Sequence, residues 1–401
     1  MMEPPLRVVP PSYAQLAAGE DALHVAWFRE EPAELARLAA AVGLDATMTQ
    51  DGTRVAGSWR ELDLLARTLA SEVHPAARRL RRYLDPVAGW RLRTRTLPLD
   101  HPIVMGIVNL TTDSFSGDGV GVSPEGAAAR AEELRSAGAA IIDVGAESAR
   151  ADRPVMDEGE EAELVSGCAA ELAAAGHVVS VDTYKPGVAA AALERGAELV
   201  NDISGLTQGT GAAEAALHAG AGYVLNYSYS VPKRRPDAPP QYSDVVQDTI
   251  SWMFERVDVL RGLGFDDDRV AIDPGIAFGK SHDEDLQVLR RIGELRTPGL
   301  PVLLAHSRKN FIGSVSGMEP AARDLETHVV TTLAYAQGIR IFRVHDAAGA
   351  ARAAEMAAAV VDRDAGAFAP DGESWPWRAG ADGGHMMVAD PDRDAPPGQR
   401  W

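Results

Sequence analysis

Eight short apolar runs, each followed by a stretch with helical spacing, limit what this chain can fold into more than any other feature. They lie at 103–108, 139–144, 178–181, 198–200, 223–225, 270–272, 302–304 and 341–344. Runs this short read as buried strands, not membrane spans. The helix punctuation agrees. Ser123 and Pro124 read as an N-cap and a first helical residue, with Gly138 at the far end, while Lys185-Pro186 opens a later helix that Gly196 closes. Over 242–263, Val246, Ile250, Met253, Val257 and Leu260 share one face. Eight β-α repeats in about 265 residues are what a (β/α)8 barrel requires. An open doubly wound sheet is the alternative. No G-x-G-x-x-G follows any strand, which weighs against it.

The expected fold class is therefore α/β: a (β/α)8 TIM barrel over 98–363, a small α/β accessory domain over 1–90 and a disordered tail over 364–401. In the accessory part, 1–20 reads as a loose lead-in, 22–28 as a strand, 31–42 as a helix, 47–56 as a hairpin around Asp51-Gly52 and 60–72 as a helix. A basic helix follows over 75–84. None of this carries a cluster assignable to chemistry, so its default role is packing, dimerisation or cover. The tail is rich in Gly, Asp, Pro and Ala with isolated Trp375, Trp377 and Trp401, a composition that builds no core.

Composition excludes several function classes. The formal net charge is −19, which opposes binding to nucleic acid. The single cysteine, Cys168, rules out an intrachain disulfide and lies in a helical pattern where it serves as a small core side chain. The N-terminus, MMEPPLRVVPP, has neither a basic n-region nor an apolar h-region, so no secretion signal is expected, and no apolar run approaches the length of a membrane helix. A cytoplasmic protein with no membrane partner is expected.

Polar residues gather where the strands end. Asn109, Asp113 and Asp118 follow the first strand; Asp143, Glu147, Ser148 and Arg150 close or follow the second. Asp182, then Asn201 and Asp202, then Asn226 and Tyr227 mark the third, fourth and fifth. Asp273, with Phe278 and Lys280 in its loop, follows the sixth; Ser307, Arg308 and Lys309 the seventh; Arg343, His345 and Asp346 the eighth. A barrel converges such a rim on one pocket. Asp182, Asn201 and Asp273 suit a flat heterocycle rich in N–H donors. Arg150, Arg343 and His345 form a cationic set for phosphate or carboxylate. Asn109 offers an oxygen for Mg²⁺, which favours ligand sets shared with phosphate and water. Asp143 and Asp202, nearest the barrel interior, have the simpler alternative of bonding neighbouring loops.

MGIVNLTTDSFSGDG, IIDVGAESAR, SVDTYKP, NDISG, IDPGIAFGK, SRK and RVHD resemble, in order and spacing, the successive motifs of the dihydropteroate synthase family, over roughly residues 98–362. The N-terminal part resembles, more weakly, the extra domain of long-form members. The resemblance implies a usually dimeric (β/α)8 enzyme that joins 7,8-dihydropterin-6-ylmethyl diphosphate to p-aminobenzoate in folate biosynthesis and releases pyrophosphate. By position, Asp182, Asn201, Asp273 and Lys309 would hold the pterin. Asn109 would ligate Mg²⁺, and with Arg150, Arg343 and His345 it would hold the diphosphate. Phe115, Ser148, Phe278 and Ser307, with the loop around Glu147–Arg150, would form the p-aminobenzoate site. Asp118, Lys309, Arg343 and His345 would act in the chemical step.

Departures from the family pattern fall mostly in the acceptor loops. A usual Pro is Thr112; S-F-S-D-G-G reads SFSGDG, moving the carboxylate to Asp118; G-G-E-S-T-R-P reads GAESARA, with Ala149 and Ala151; M-H-M reads Asn226-Tyr227-Ser228. Ala305-His306 stands before S-R-K. Two other functions use the same pterin residues. A pterin-dependent methyltransferase would not need the Ser307-Arg308-Lys309 trio or the Arg343/His345 pair. A non-catalytic pterin-binding paralogue would tolerate the altered acceptor loop.

Overall fold

The computed structural model describes residues 6–10, 23–29, 32–49, 52–110, 124–147, 154–229 and 240–361. Its N-terminal unit is a four-stranded antiparallel sheet of β1 (Leu6–Val9), β2 (His24–Phe28), β3 (Ala46–Thr49) and β4 (Gly52–Gly57), in the order β1-β2-β4-β3. Helices α1 (Pro32–Ala41), α2 (Trp59–Ser71) and α3 (Ala76–Leu84) accompany it. Ser58 opens α2 with a capping box, its hydroxyl taking the Glu61 N–H while the Glu61 carboxylate takes the Ser58 N–H. The expectation of a loose lead-in over 1–20 is corrected at 6–9. Leu6 and Val8 are fully buried in the unit's core beside Phe28, Leu62 and Leu65. Four residues are too few for alternation to reveal an edge strand before its partner is known.

A short hairpin links this unit to the barrel: β5 (Gly89–Arg91) pairs with β6 (Thr96–Pro98). Sequence spacing gave no sign of it. Its Trp90 is fully buried against Ile103, Met105, Ile141, Leu199, Val224, Leu303 and Ile341, and so plugs the lower end of the barrel.

The barrel strands are β7 (Ile103–Asn109), β8 (Ile141–Gly145), β9 (Val179–Asp182), β10 (Leu199–Asp202), β11 (Gly222–Asn226), β12 (Val270–Asp273), β13 (Leu303–Leu304) and β14 (Ile341–Val344). All are parallel, each pairs with its neighbour in sequence, and β14 returns to β7. An isolated bridge from Ile272 to Val302, with Ile272 N–H donating to Pro301 O at 2.9 Å, completes the circle between β12 and β13. Helices α4 (Pro124–Ser136), α5 (Glu158–Ala174), α6 (Pro186–Glu194), α7 (Gly211–Ala219), α8 (Val245–Leu263), α9 (His282–Arg290), α10 (Asn310–Ser316), α11 (Asp324–Ala336) and α12 (Ala347–Val361) surround it. Cys168 is buried on α5, as its sequence context suggested.

Strand alternation explains why the sheet can be apolar below and polar above. Val104, Ile142, Val200, Ile272 and Phe342 face the helices, whereas Ile141, Leu199, Val224, Ala271, Leu303 and Ile341 face inward. Two residues further along the inward rows stand Asp143, Asn201, Asn226, Asp273, Ala305 and Arg343. The barrel thus has an apolar floor and a polar mouth. The N-terminal unit sits at the floor end, where Arg7 pairs with Glu294 at 2.6 Å and Val8 N–H donates to Thr297 Oγ1 at 3.1 Å. Gly299 is required there: its φ is +79°, and a Cβ would lie 2.3 Å from the Arg82 carbonyl oxygen.

Candidate active site

The mouth is organised by Arg343, which projects inward from β14 and crosses to the opposite wall. Its Nε donates to Asp143 and its Nη2 to Asp182, both at 2.6 Å. Asn201 Nδ2 donates to the same Asp143 oxygen at 3.1 Å. Gly145 gives Asp182 its space, since a Cβ there would sit 3.2 Å from the Asp182 Cβ. Burial pushes the Asp182 carboxyl up to about 7 against the opposing pull of Arg343. Four strands therefore share one ion network, and Arg343 Nη1 is the donor it leaves for a ligand. Asp143 Oδ1 is buried without a hydrogen-bond partner among the described residues.

The pterin candidates stand on adjacent strands. Asn226 and Asp273 are register partners across β11 and β12, and Asn201 on β10 pairs with Val224, two residues before Asn226. Asp273 Oδ1 accepts the Gly275 N–H at 2.7 Å. Burial raises its carboxyl above the usual range, opposed first by the nearby Lys309. Lys309 approaches from the loop after β13. Its Nζ donates to Ile276 O at 2.7 Å and lies 5.1 Å from the Phe278 ring centroid. Burial lowers its ammonium to about 8, against the attraction of Asp273 and Asp285. Lys280 forms the base of the same corner, 3.6 Å from the Tyr227 ring centroid and donating to the Pro274 and Gly275 carbonyls at 2.9 and 3.2 Å. Burial lowers it to about 7.

His345 and Ser307, assigned above to different substrates, bond each other. Ser307 Oγ accepts the His345 backbone N–H at 3.2 Å and lies 2.9 Å from His345 Nδ1. If the hydroxyl donates to Nδ1, the ring proton sits on Nε2, poised for an anion. Arg308 departs from the expected trio. Its φ is +57°, and its guanidinium pairs with Asp324 on α11 at 2.7 and 2.8 Å, outside the mouth. That left-handed turn is what lets Ser307 and Lys309 both serve the pocket.

Two more expectations need correction. Asp202 does not face the interior. It is the outward neighbour of Asn201, accepting the Ser204 N–H at 2.7 Å and the Tyr223 hydroxyl. Glu147 is not open to an acceptor. Its carboxylate takes Lys185 Nζ at 2.7 Å, the Tyr184 hydroxyl at 2.9 Å and the Met156 N–H at 2.8 Å. Asp143, Asn226 and Lys280 were visible as rim residues but were not assigned to a ligand. Asp143 carried a signal, a carboxylate inside an apolar strand. Phe115, Asp118, Ser148, Arg150, Ala149 and Ala151 lie outside the described residues, as does the 364–401 tail.

Asn109 fits a shared Mg²⁺. It ends β7 half-buried, its side chain has no hydrogen bond among the described residues, and one protein oxygen is what an ion carried in on diphosphate needs. Among the described residues no three His, Cys, Asp or Glu side chains gather to hold an ion by themselves.

An (β/α)8 barrel whose mouth sets carboxylates and an amide beside a lysine, with cations opposite, defines an enzyme for a flat nitrogen heterocycle bearing an anion. The model of the pterin binding enzyme family matches residues 105–345. Bacillus subtilis dihydropteroate synthase is 36% identical over 265 residues, covering 65% of this chain and 89% of that protein. The Yersinia pestis dihydropteroate synthase structure with a sulfonamide drug complex superposes with a TM-score of 0.64 at 34% identity, covering 68% of this chain and 98% of that one. The Burkholderia cenocepacia enzyme complexed with 7,8-dihydropteroate gives 0.62 at 32% identity, with 69% and 97% covered. The chain belongs to the pterin binding enzyme family and, within it, to the dihydropteroate synthases.

Proposed function

We propose that this chain joins 7,8-dihydropterin-6-ylmethyl diphosphate to p-aminobenzoate, giving 7,8-dihydropteroate and pyrophosphate. The observation that carries this reading is the Asp143–Arg343–Asp182 network beside Asn201, Asp273 and Lys309: one wall for an amino-pyrimidine edge, one for an anion. Asn201 and Asp273 orient the pterin, and Lys309 donates to its carbonyl side. Arg343 Nη1 and His345 Nε2 meet the diphosphate. Mg²⁺ held by Asn109 would neutralise part of the leaving group's charge. Loss of pyrophosphate leaves a cation at the exocyclic methylene, spread into the dihydropterin, and the aniline nitrogen attacks it. Phe278 walls the acceptor and Ser307 bonds its carboxylate. No strong base is required, so positioning and electrostatics carry the rate.

Pyrophosphate release should require both the pterin diphosphate and p-aminobenzoate. Binding of the pterin diphosphate without turnover would instead indicate the paralogue.

The low Lys309 ammonium predicts a pH limb. Below about 8 the amine is charged and donates strongly; above it the charge is lost. KM for the pterin diphosphate should therefore rise as pH increases beyond about 8, and Lys309→Arg should remove the rise. A KM flat to pH 9.5 in the parent would take Lys309 out of the binding step.

The assembly we propose is a homodimer through α11 and α12. Leu325, Val329 and Leu333 form a stripe at i, i+4 and i+8 on α11, all exposed, with Met356 and Val360 exposed on α12. Val329→Glu should halve the mass measured by light scattering. A parent that runs as a monomer at micromolar concentration would refute the dimer. No helix among the described residues is long and apolar enough to cross a membrane.

A further inference from the structure

Away from the mouth, a cavity of about 880 Å³ lies between the N-terminal unit and the barrel floor. That volume is in the range of small-molecule sites. The unit contributes His24, Trp59 and Tyr83; the barrel contributes Leu300, Tyr335 and the guanidinium of Arg296. Arg296 is held in place without being satisfied. Its guanidinium lies against Gly338, at φ +91°, where a Cβ would come within 2.6 Å of Nη1. No described residue accepts a hydrogen bond from it or pairs with it.

Its neighbours cannot supply the missing charge. His24 Nδ1 and the Tyr83 hydroxyl bond each other at 2.8 Å. Burial holds the histidine down at about 4 and pushes the phenol up to about 12, so both are neutral at pH 7. The carboxylate in the wall, Glu294, is already shared by Arg7 at 2.6 Å and Arg291 at 2.8 Å. Arg340 adds further positive charge, its guanidinium stacked 3.9 Å above the Tyr335 ring. Arg296 is partly withdrawn from water with no anion beside it among the described residues, so an incoming anion would gain a charge-assisted bond there. Trp59, exposed on α2, offers a flat apolar face for the body that carries it.

We propose that this cavity is a second ligand site, for a small organic anion with an aromatic body, and that Arg296 binds its carboxylate or phosphate. Calorimetry with 1-naphthoate and 1-naphthyl phosphate, and neutral 1-naphthylmethanol as control, tests it on the full chain. The parent should bind at least one anion in preference to the alcohol, with a change in Trp59 emission. The tighter anion identifies the recognised group as carboxylate or phosphate. Arg296→Gln should weaken that binding about tenfold or more, with pterin turnover unchanged. Arg296→Lys keeps the charge without the flat fork and should be intermediate; it decides the matter if the glutamine variant is unstable. Equal binding by the parent and both variants overturns the proposal. So does equal affinity for the alcohol. Loss of binding in Asp273→Asn but not in the Arg296 variants would place the anion at the barrel mouth and overturn it as well.

Discussion

Arg343→Met should lower kcat/KM for the pterin diphosphate by about 10²–10³ and destabilise the fold by about 3–5 kcal/mol. Both effects come from one geometry. The guanidinium bridges Asp143 and Asp182 across the mouth, and Asp143 also orders Asn201. Without it two carboxylates face each other with no cation between them, and the donor aimed at the diphosphate is gone. The two effects separate by pH. Asp182 already titrates near 7 and would rise further without Arg343. The native variant then keeps a proton that the unfolded chain gives up near pH 4. The parent keeps the same proton up to about 7, so the variant's deficit grows only as pH rises past about 7, where the parent's Asp182 ionises and the variant's does not. Urea unfolding at pH 5 and pH 8 measures this. A deficit of the same size at both would mean that Arg343 serves as packing and does not balance charge. Adding Asp143→Asn should recover part of the stability but not the turnover, because the leaving group still lacks its donor.

The same residues show how far the sequence reaches. The apolar run opening β7 and its counterparts announce the barrel because each strand is buried on both faces, which leaves no alternation to misread. The short elements were hidden for the opposite reason. β1 has four residues, and β5 and β6 three each, and all take their identity from partners distant in the chain. Within the site, sequence reading treated Asp143 and Asp202 alike. Their roles differ by the phase of a strand: Asp143 follows the inward Ile141 by two, while Asp202 follows the inward Asn201 by one and so turns out to Tyr223. That distinction was available from alternation alone. The position of Arg308 was not, since it depends on a single left-handed residue and on Asp324, sixteen positions away. Nor was the partner of Glu147, which lies in the next loop.

That partner carries the second large effect. Lys185→Met should cost about 3–5 kcal/mol, because Lys185 is the only cation between two buried carboxylates among the described residues. Its ammonium bonds Glu147 and the Met156 carbonyl, each at 2.7 Å, and also Glu161. Burial raises the Glu161 carboxyl despite that ion pair. Burial also pushes Glu147 upward, but bonds from Lys185, the Met156 N–H and Tyr184 outweigh it and hold the group low. Without the lysine both carboxylates should retain protons to higher pH in the native state than in the unfolded one. The variant should thus come closest to the parent near pH 5 and lose ground toward pH 8. Function should suffer at the acceptor. Glu147 ends the described part of the loop after β8, and Ser148 and Arg150 lie within three residues of it in the chain, so releasing Glu147 loosens the described end of that loop. KM for p-aminobenzoate should rise more than KM for the pterin diphosphate, which keeps Asp182, Asn201, Asp273 and Lys309, none of them in contact with Lys185, and loses only the part that Arg150 would play. Adding Glu161→Gln should restore part of the stability by removing one of the two carboxylates that Lys185 serves. A Lys185→Met protein with parental stability at pH 8 would mean that the pair is dispensable. One that loses pterin and p-aminobenzoate affinity equally would show that the cluster supports the whole mouth and not the acceptor loop alone.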